Sequence, residues 1–192
     1  MPEATRDPPI LTIDLPAWSR TLTTPGTHIS SRDQRMDLAI ALARENVRRR
    51  AGGPFGAAVF EIESGILLSV GVNSVVRLHN STLHAEVVAL MFAQQARGAY
   101  SLAEGPACEL VTSCEPCAMC LGATLWSGVR SLVCGATKPD AEAAGFDEGP
   151  VDDTSYRHLE SRGITVARAV RRDEAAAVLR EYARLGGAIY NP

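Results

Sequence analysis

The feature of this chain that most constrains its fold is a pair of short clusters rich in metal-type residues, His84-Ala85-Glu86 and Pro116-Cys117-Ala118-Met119-Cys120. Each stands where a strand-like run gives way to a helix-like one, so a fold that uses both must bring two strand-to-helix junctions together. The surrounding pattern supplies such a fold. A first helix is predicted from an N-cap at Asp33, through Met36, Ile40, Leu42, Ala43 and Val47, to the break at Ala51-Gly52-Gly53-Pro54. Two strands follow over residues 56–62 and 66–72, joined by a hairpin turn at Glu63-Ser64-Gly65. A polar loop over 73–82 leads to an apolar helix over 83–97, a strand over 109–112, a helix over 117–126 and a strand over 130–134. An acidic loop with Asp140, Glu142, Asp147 and Glu148, a strand over 164–170 and a helix over 172–185 close the chain. Strands alternating with helices imply an α/β sheet with helices packed on it, and ligands sit at the strand-to-helix junctions of such sheets.

With 192 residues, 46% of them hydrophobic, the chain can bury the core of one domain. Residues 1–30 are rich in Pro and Thr and show no sustained period. They read as an irregular N-terminal arm, with one short extended piece at Leu11-Thr12-Ile13, ahead of a domain over 31–192. A net charge of -3 argues against nucleic acid as a partner and favours a small molecule. The run Arg48-Arg49-Arg50 suits the negative end of the first helix and its solvation. Met1-Pro2-Glu3-Ala4 does not open a signal peptide, and no apolar run approaches the ~20 residues that span a bilayer. No membrane partner and a reducing, cytoplasmic setting are therefore expected.

Five cysteines, three of them crowded at Cys114, Cys117 and Cys120, suggest metal binding more than a disulfide framework. Cys117 and Cys120 are three residues apart, so on one helix face both sulfurs reach a single ion. Pro116 is placed at the helix start, where its missing N–H costs little, and the positive end of that helix favours thiolates. His84, opening a second buried helix, supplies a third ligand. Three protein ligands leave the fourth tetrahedral position of a zinc ion open to water, which then ionises near a pH of roughly 7. Glu86 stays off the metal and carries a proton from that water to a ring nitrogen of the substrate and then to the departing amine. Together the clusters match the H-x-E and P-C-x-x-C signature of zinc-dependent nucleobase deaminases. The competing reading is an iron–sulfur site of Cys114, Cys117 and Cys120 with Cys134 as a distant ligand. It leaves Glu86 and Pro116 without a role, and Gly135 stands where a Pro is expected after the last cluster cysteine. Cys108, Cys114 and Cys134 otherwise read as packed thiols.

On these residues the chain resembles the cytidine deaminase-like superfamily, and within it the bacterial guanine deaminase branch. The likeness runs from about Met36 onward. It takes in Gly53-Pro54-Phe55-Gly56-Ala57, the Asn73 loop, both clusters, the stretch from Thr112 through Ala123 with Trp126 after it, and Ala144-Gly145-Phe146-Asp147. The resemblance implies a three-layer α/β/α sandwich around a five-stranded mixed sheet, and a homodimer that allows the C-terminal segment to be exchanged between subunits. It makes Asn73 a hydrogen-bond partner of the base, Ala85 a backbone contact, and Phe55 and Trp126 aromatic walls. Asp147 becomes a catalytic residue reading the ring N–H or amine edge, and Tyr190 a wall reaching a site from the partner chain. Read without the family, Phe55 is equally a core residue and Asn73 equally a turn residue after Gly71, while the competing reading of Asp147 is a solvated acidic loop.

The implied activity is hydrolytic deamination of a free nucleobase, foremost guanine to xanthine with release of ammonia. Asn80-Ser81-Thr82-Leu83 replaces the Asp-Pro-Thr-Ala run common in purine and tRNA members, and Thr82-Leu83-His84 is similar to fungal cytosine deaminase. Cytosine, isoguanine and aminotriazines therefore stay open as substrates. The acidic balance and the mixed-charge last helix count against a tRNA adenosine deaminase.

Overall fold

The structure is a computed structural model that describes residues 11–190. A one-turn helix α1 (Ser19–Leu22) lies in the arm and is followed by α2 (Arg32–Arg48), the hairpin β1 (Gly56–Glu61) and β2 (Leu67–Val72), and α3 (Ala85–Arg97). Then come β3 (Cys108–Cys114), α4 (Ala118–Ser127), β4 (Ser131–Ala136), α5 (Lys138–Ala143), α6 (Asp153–Ser161), β5 (Thr165–Ala167) and α7 (Arg172–Arg184). The five strands pair in the order β2-β1-β3-β4-β5. β1 is antiparallel to β2 and β3, whereas β3, β4 and β5 run parallel, so the sheet is mixed as expected.

Side chains alternate between the two faces of each strand, and that alternation divides the core in two. Ala58, Phe60, Val111 and Val133 face α2 and α7 through Met36, Leu42, Val178 and Leu179. Ala57, Val59, Leu110 and Leu132 face α3 and α6 through Ala89, Leu90, Tyr156 and Leu159. The result is the predicted three-layer sandwich. Gly71 sets how closely α3 lies on β2, since a Cβ there would stand 2.1 Å from the Ala85 carbonyl oxygen. The first turn of α3, with His84 before it, is thereby held against the sheet.

Local detail departs from expectation where short-range chemistry outweighs periodicity. The N-cap of α2 is Ser31, not Asp33: its Oγ accepts from the Gln34 N–H at 3.1 Å, and Asp33 lies in the first turn. Leu11-Thr12-Ile13 forms no strand. Residues 26–29 instead run along the outer edge of β2, where Gly26 N–H donates to the Leu67 carbonyl at 2.8 Å and Leu67 N–H to that of Thr27 at 2.9 Å. The acidic loop contains α5 and α6, each opened by a capping box, Thr137 with Asp140 and Asp152 with Ser155. β5 spans 165–167 only, less than the expected 164–170. Among the described residues no helix is long and apolar enough to cross a membrane.

Candidate active site

The carboxyl ends of β3 and β4 and the N-termini of α3 and α4 meet at one place. His84 is the N-cap of α3 and Cys117 the N-cap of α4, with Cys120 three residues on; Pro116 precedes the cap and so lies just outside the helix. His84 Nδ1 stands 3.5 Å from Cys117 Sγ, and the ligand atoms of His84, Cys117 and Cys120 all fall within 4.8 Å of one another. Tetrahedral zinc with bonds of ~2.3 Å to sulfur and ~2.0 Å to nitrogen places N and S roughly 3.6 Å apart. The donor set and its spacing thus fit a zinc ion before any ion is added. Cys114 and Cys134 are fully buried in their strands and take no part in this cluster, and all five thiols are free. The helix N-termini give the site a positive field that suits thiolates and carboxylates.

The protonation pattern is that of a site short of positive charge. The Cys117 thiol is lowered to about 4, first by its hydrogen bond with Cys120 and, against burial, by that with His84. Cys120 is pushed well up by its hydrogen bond with Cys117 and by burial. Burial lowers His84, but the Cys117 hydrogen bond and the Glu86 charge outweigh it and leave the imidazole raised. Glu86, in the first turn of α3, is buried and raised by desolvation and by the Cys117 charge. A dication among these groups reverses the balance, because it stabilises every anion near it.

A pocket of about 300 Å³ opens on this cluster, and Glu86 and Phe55 line it. The Phe55 ring meets that of Phe146 edge-on at 4.9 Å. Tyr190 closes another side, its ring 5.4 Å from Phe146 and 6.3 Å from His84. The tail of a single chain thus reaches that chain's own pocket. Tyr190 fits there because residue 53 is glycine: a Cβ would stand 2.2 Å from the Tyr190 hydroxyl. Asn73 is fully buried just past β2, held by Asn46 Nδ2 on its carbonyl at 2.9 Å and accepting from Gly53 N–H at 3.3 Å through Oδ1. Its Nδ2 and the Tyr190 hydroxyl are buried without a partner among the described residues. Ala85 is buried beside His84 at the first position of α3, where the backbone N–H has no intrahelical acceptor.

Of two further sequence-predicted positions, one lies elsewhere and the other at the rim. Trp126 is 79% exposed on the outer side of α4 and does not line the pocket. Asp147 lines the mouth, exposed, with Oδ1 accepting from the Gly149 N–H at 2.8 Å. The acid that faces inward is its neighbour Glu148, which sequence reasoning left in the loop. Glu148 is buried, and desolvation with the Cys117 and Glu86 charges pushes its carboxyl up to about 8. Its carbonyl accepts from the Ala118 N–H at 3.0 Å, which ties the loop to the start of α4. The signal was present in the alternation: Phe146 and Glu148 point in and Asp147 out, as an extended segment requires. Glu115, also missed, is buried beside Cys117 and accepts from Arg168 Nε at 2.6 Å and the Lys138 N–H at 2.8 Å, which fastens the ligand-bearing turn to the neighbouring elements.

Comparison with known proteins agrees with this geometry. The profile of the cytidine and deoxycytidylate deaminase zinc-binding region matches residues 29–136. A guanine deaminase of Bacillus subtilis strain 168 is 43% identical over 126 residues, which are 66% of this chain and 78% of that protein. The solved guanine deaminase of Nitrosomonas europaea is 46% identical at a TM-score of 0.87, covering 91% of this chain and 97% of that one. The protein NE0047, solved in complex with 2,6-diaminopurine, is 47% identical at a TM-score of 0.88, with 95% and 97% covered.

Proposed function

Because the chain belongs to the cytidine and deoxycytidylate deaminase zinc-binding family, we propose that it deaminates a free nucleobase, converting guanine and water to xanthine and ammonia. The observation that carries the choice of substrate is the joint likeness to guanine deaminases of two bacteria at 43% and 46% identity. Pocket size supports it. About 300 Å³ is the low end for a ligand site, which suits a bare ring more than a nucleoside.

His84, Cys117 and Cys120 hold the zinc ion, which when bound lowers the pKa of water and polarises the reacting centre. Glu86 accepts the proton of the attacking water on its carboxylate and returns it to a ring nitrogen and then to the leaving amine. Glu148 faces the same space and assists that transfer, with Asp147 reading the substrate edge at the mouth. From fully buried positions behind the lining residues, Asn73 offers its free Nδ2 to a carbonyl of the base and Ala85 its backbone N–H, and the touching rings of Phe55, Phe146 and Tyr190 form an aromatic wall for the ring. Met119, at the rim of the pocket, and Trp126 sit two turns apart on the uncharged, exposed side of α4, an apolar face that suits a second copy of this chain in a homodimer. Trp126 then serves the subunit contact. Five free thiols accord with a reducing cytoplasm.

An ammonia-release screen across guanine, guanosine, cytosine, isoguanine, aminotriazines and adenine tests the reading. Turnover is expected with guanine foremost, to be lost on chelation and restored by zinc. A preference for cytosine or for a nucleoside would overturn the substrate, and undiminished activity in Glu86→Gln would overturn the mechanism.

A further inference from the structure

Cations at a helix C-terminus are ordinarily explained by the helix dipole, and Arg49 fits that explanation: it pairs with Glu45 at 2.9 Å and lies over the Trp18 ring at 5.8 Å. Its two neighbours are placed differently. Arg48 and Arg50 line a cleft of about 830 Å³, separate from the active site, together with Arg77 from the loop after Asn73. Val76, Tyr182 and Leu185 give the cleft an apolar side, and no Asp or Glu lines it, although the chain carries a net charge of -3.

The three guanidinium groups are incompletely used. Arg48 reaches Glu45 and Glu181 only at 3.7 and 3.9 Å, and is more than half exposed. The Arg50 side chain has no ion pair or hydrogen bond among the described residues. Arg77 is the most engaged of the three, one Nη on the Asp14 carboxylate at 2.9 Å and the other on the Asp14 carbonyl and on Ser74 Oγ at 3.3 Å, and only its Nε is buried with no acceptor. Arginine forks match phosphate oxygens in geometry and charge, and a buried N–H without an acceptor costs free energy that a bound oxygen recovers. Inorganic phosphate alone would leave most of this volume and all of its apolar side empty. The size is that of a site for a drug-sized or cofactor-sized molecule.

We propose that this cleft binds a nucleoside monophosphate, with Arg48, Arg50 and Arg77 on the phosphate and Val76, Tyr182 and Leu185 against the ring. Residues 186–188 form one wall, and the same tail carries Tyr190 to the active pocket, so an occupant lies directly against a segment that shapes the catalytic site.

Isothermal titration calorimetry of the zinc-loaded protein with guanosine 5′-monophosphate, guanosine and inorganic phosphate tests the proposal without relying on turnover, so its failure is distinct from failure of the deaminase reading. Saturable binding of the monophosphate is expected, at least about tenfold tighter than either fragment. It should weaken at least about tenfold in Arg48→Gln/Arg50→Gln, whose exposed positions leave the fold intact; an unchanged melting temperature checks this. Three results would each overturn it: no saturation at millimolar ligand, phosphate binding as tightly as the nucleotide, or full affinity in the double variant, which would place the ligand in the active pocket.

Discussion

At one end of the sheet Arg35 donates to Glu109 at 2.6 Å and to the carbonyls of Ile29 and Ile62, while Ser131 Oγ reaches the other Glu109 oxygen at 3.4 Å. At the other end Glu86 and Glu148 are buried with the Cys117 thiol between the helix N-termini, and Asn73 Nδ2 and the Tyr190 hydroxyl have no partner among the described residues. Both clusters bury charge in the same fold. The first is closed, the two charges matched to each other, with Arg35 also on backbone carbonyls and Glu109 on the Ser131 hydroxyl, and its chemistry ends in holding α2 to the sheet. The second keeps like charges together and leaves donors unspent, an arrangement that becomes favourable only when a cation and a hydrogen-bonding ring complete it. Buried charge marks function here where it is left unbalanced.

The sharpest way to break that contrast is to disable each end and ask which property fails. Glu86→Gln should cut kcat by about 10²–10⁴-fold while leaving the unfolding free energy within ~1 kcal/mol, by urea titration. Arg35→Met should do the reverse. Leaving Glu109 buried and unpaired is expected to cost about 3–5 kcal/mol of stability, with kcat of the folded fraction unchanged; Arg35→Met/Glu109→Leu should recover most of the loss. If Arg35→Met instead lowered kcat in folded protein, the division between the two ends would not hold.

A smaller effect separates the ends by pH. In zinc-free protein Glu148 is raised to about 8 from an ordinary carboxylate value, so the native state retains a proton that the unfolded chain releases. Its contribution is fully present below the ordinary value, near ~4.3, and is lost as pH rises through about 8. Stability of the metal-free form should therefore decline by an order of a few kcal/mol over that window, and Glu148→Gln should flatten the decline. Unfolding at several pH values measures it; an unchanged slope in the variant would assign the decline to another group.

The smallest expected effect lies outside both clusters. Asp140 is held below the usual carboxylate range by Arg172 and by the Thr137 hydrogen bonds. Its contribution is present above the ordinary carboxylate value and lost as pH falls below it. Asp140→Ala should cost about 1 kcal/mol at neutral pH and less in acid.

What the sequence disclosed follows from range. His84, Glu86, Cys117 and Cys120 were legible because their roles depend on spacing within one or two helical turns and on two junctions meeting, which the strand-helix alternation already requires. The five strands and four longest helices were legible for the same reason. Glu148 was legible only in part: the alternation puts it on one side with Phe146 and opposite Asp147, but which side turns inward depends on how the loop is pinned to Ala118 and to the Lys138 side chain. Trp126 illustrates the opposite error: an aromatic near a site in sequence faces outward when the helix carrying it turns that position away from the sheet. α5 and α6 escaped because short helices held by capping boxes have few apolar anchors, such as Ala141 in α5 and Tyr156 and Leu159 in α6.

The central claim is that one histidine and two cysteines hold zinc while Glu86 remains uncoordinated. Zinc K-edge X-ray absorption on wild type and on Glu86→Gln measures this directly. One zinc per chain is expected, with two sulfurs near ~2.3 Å, one imidazole and one light atom, identical in both proteins. A shell that changes in the variant, or one with a carboxylate in place of a sulfur, would contradict it.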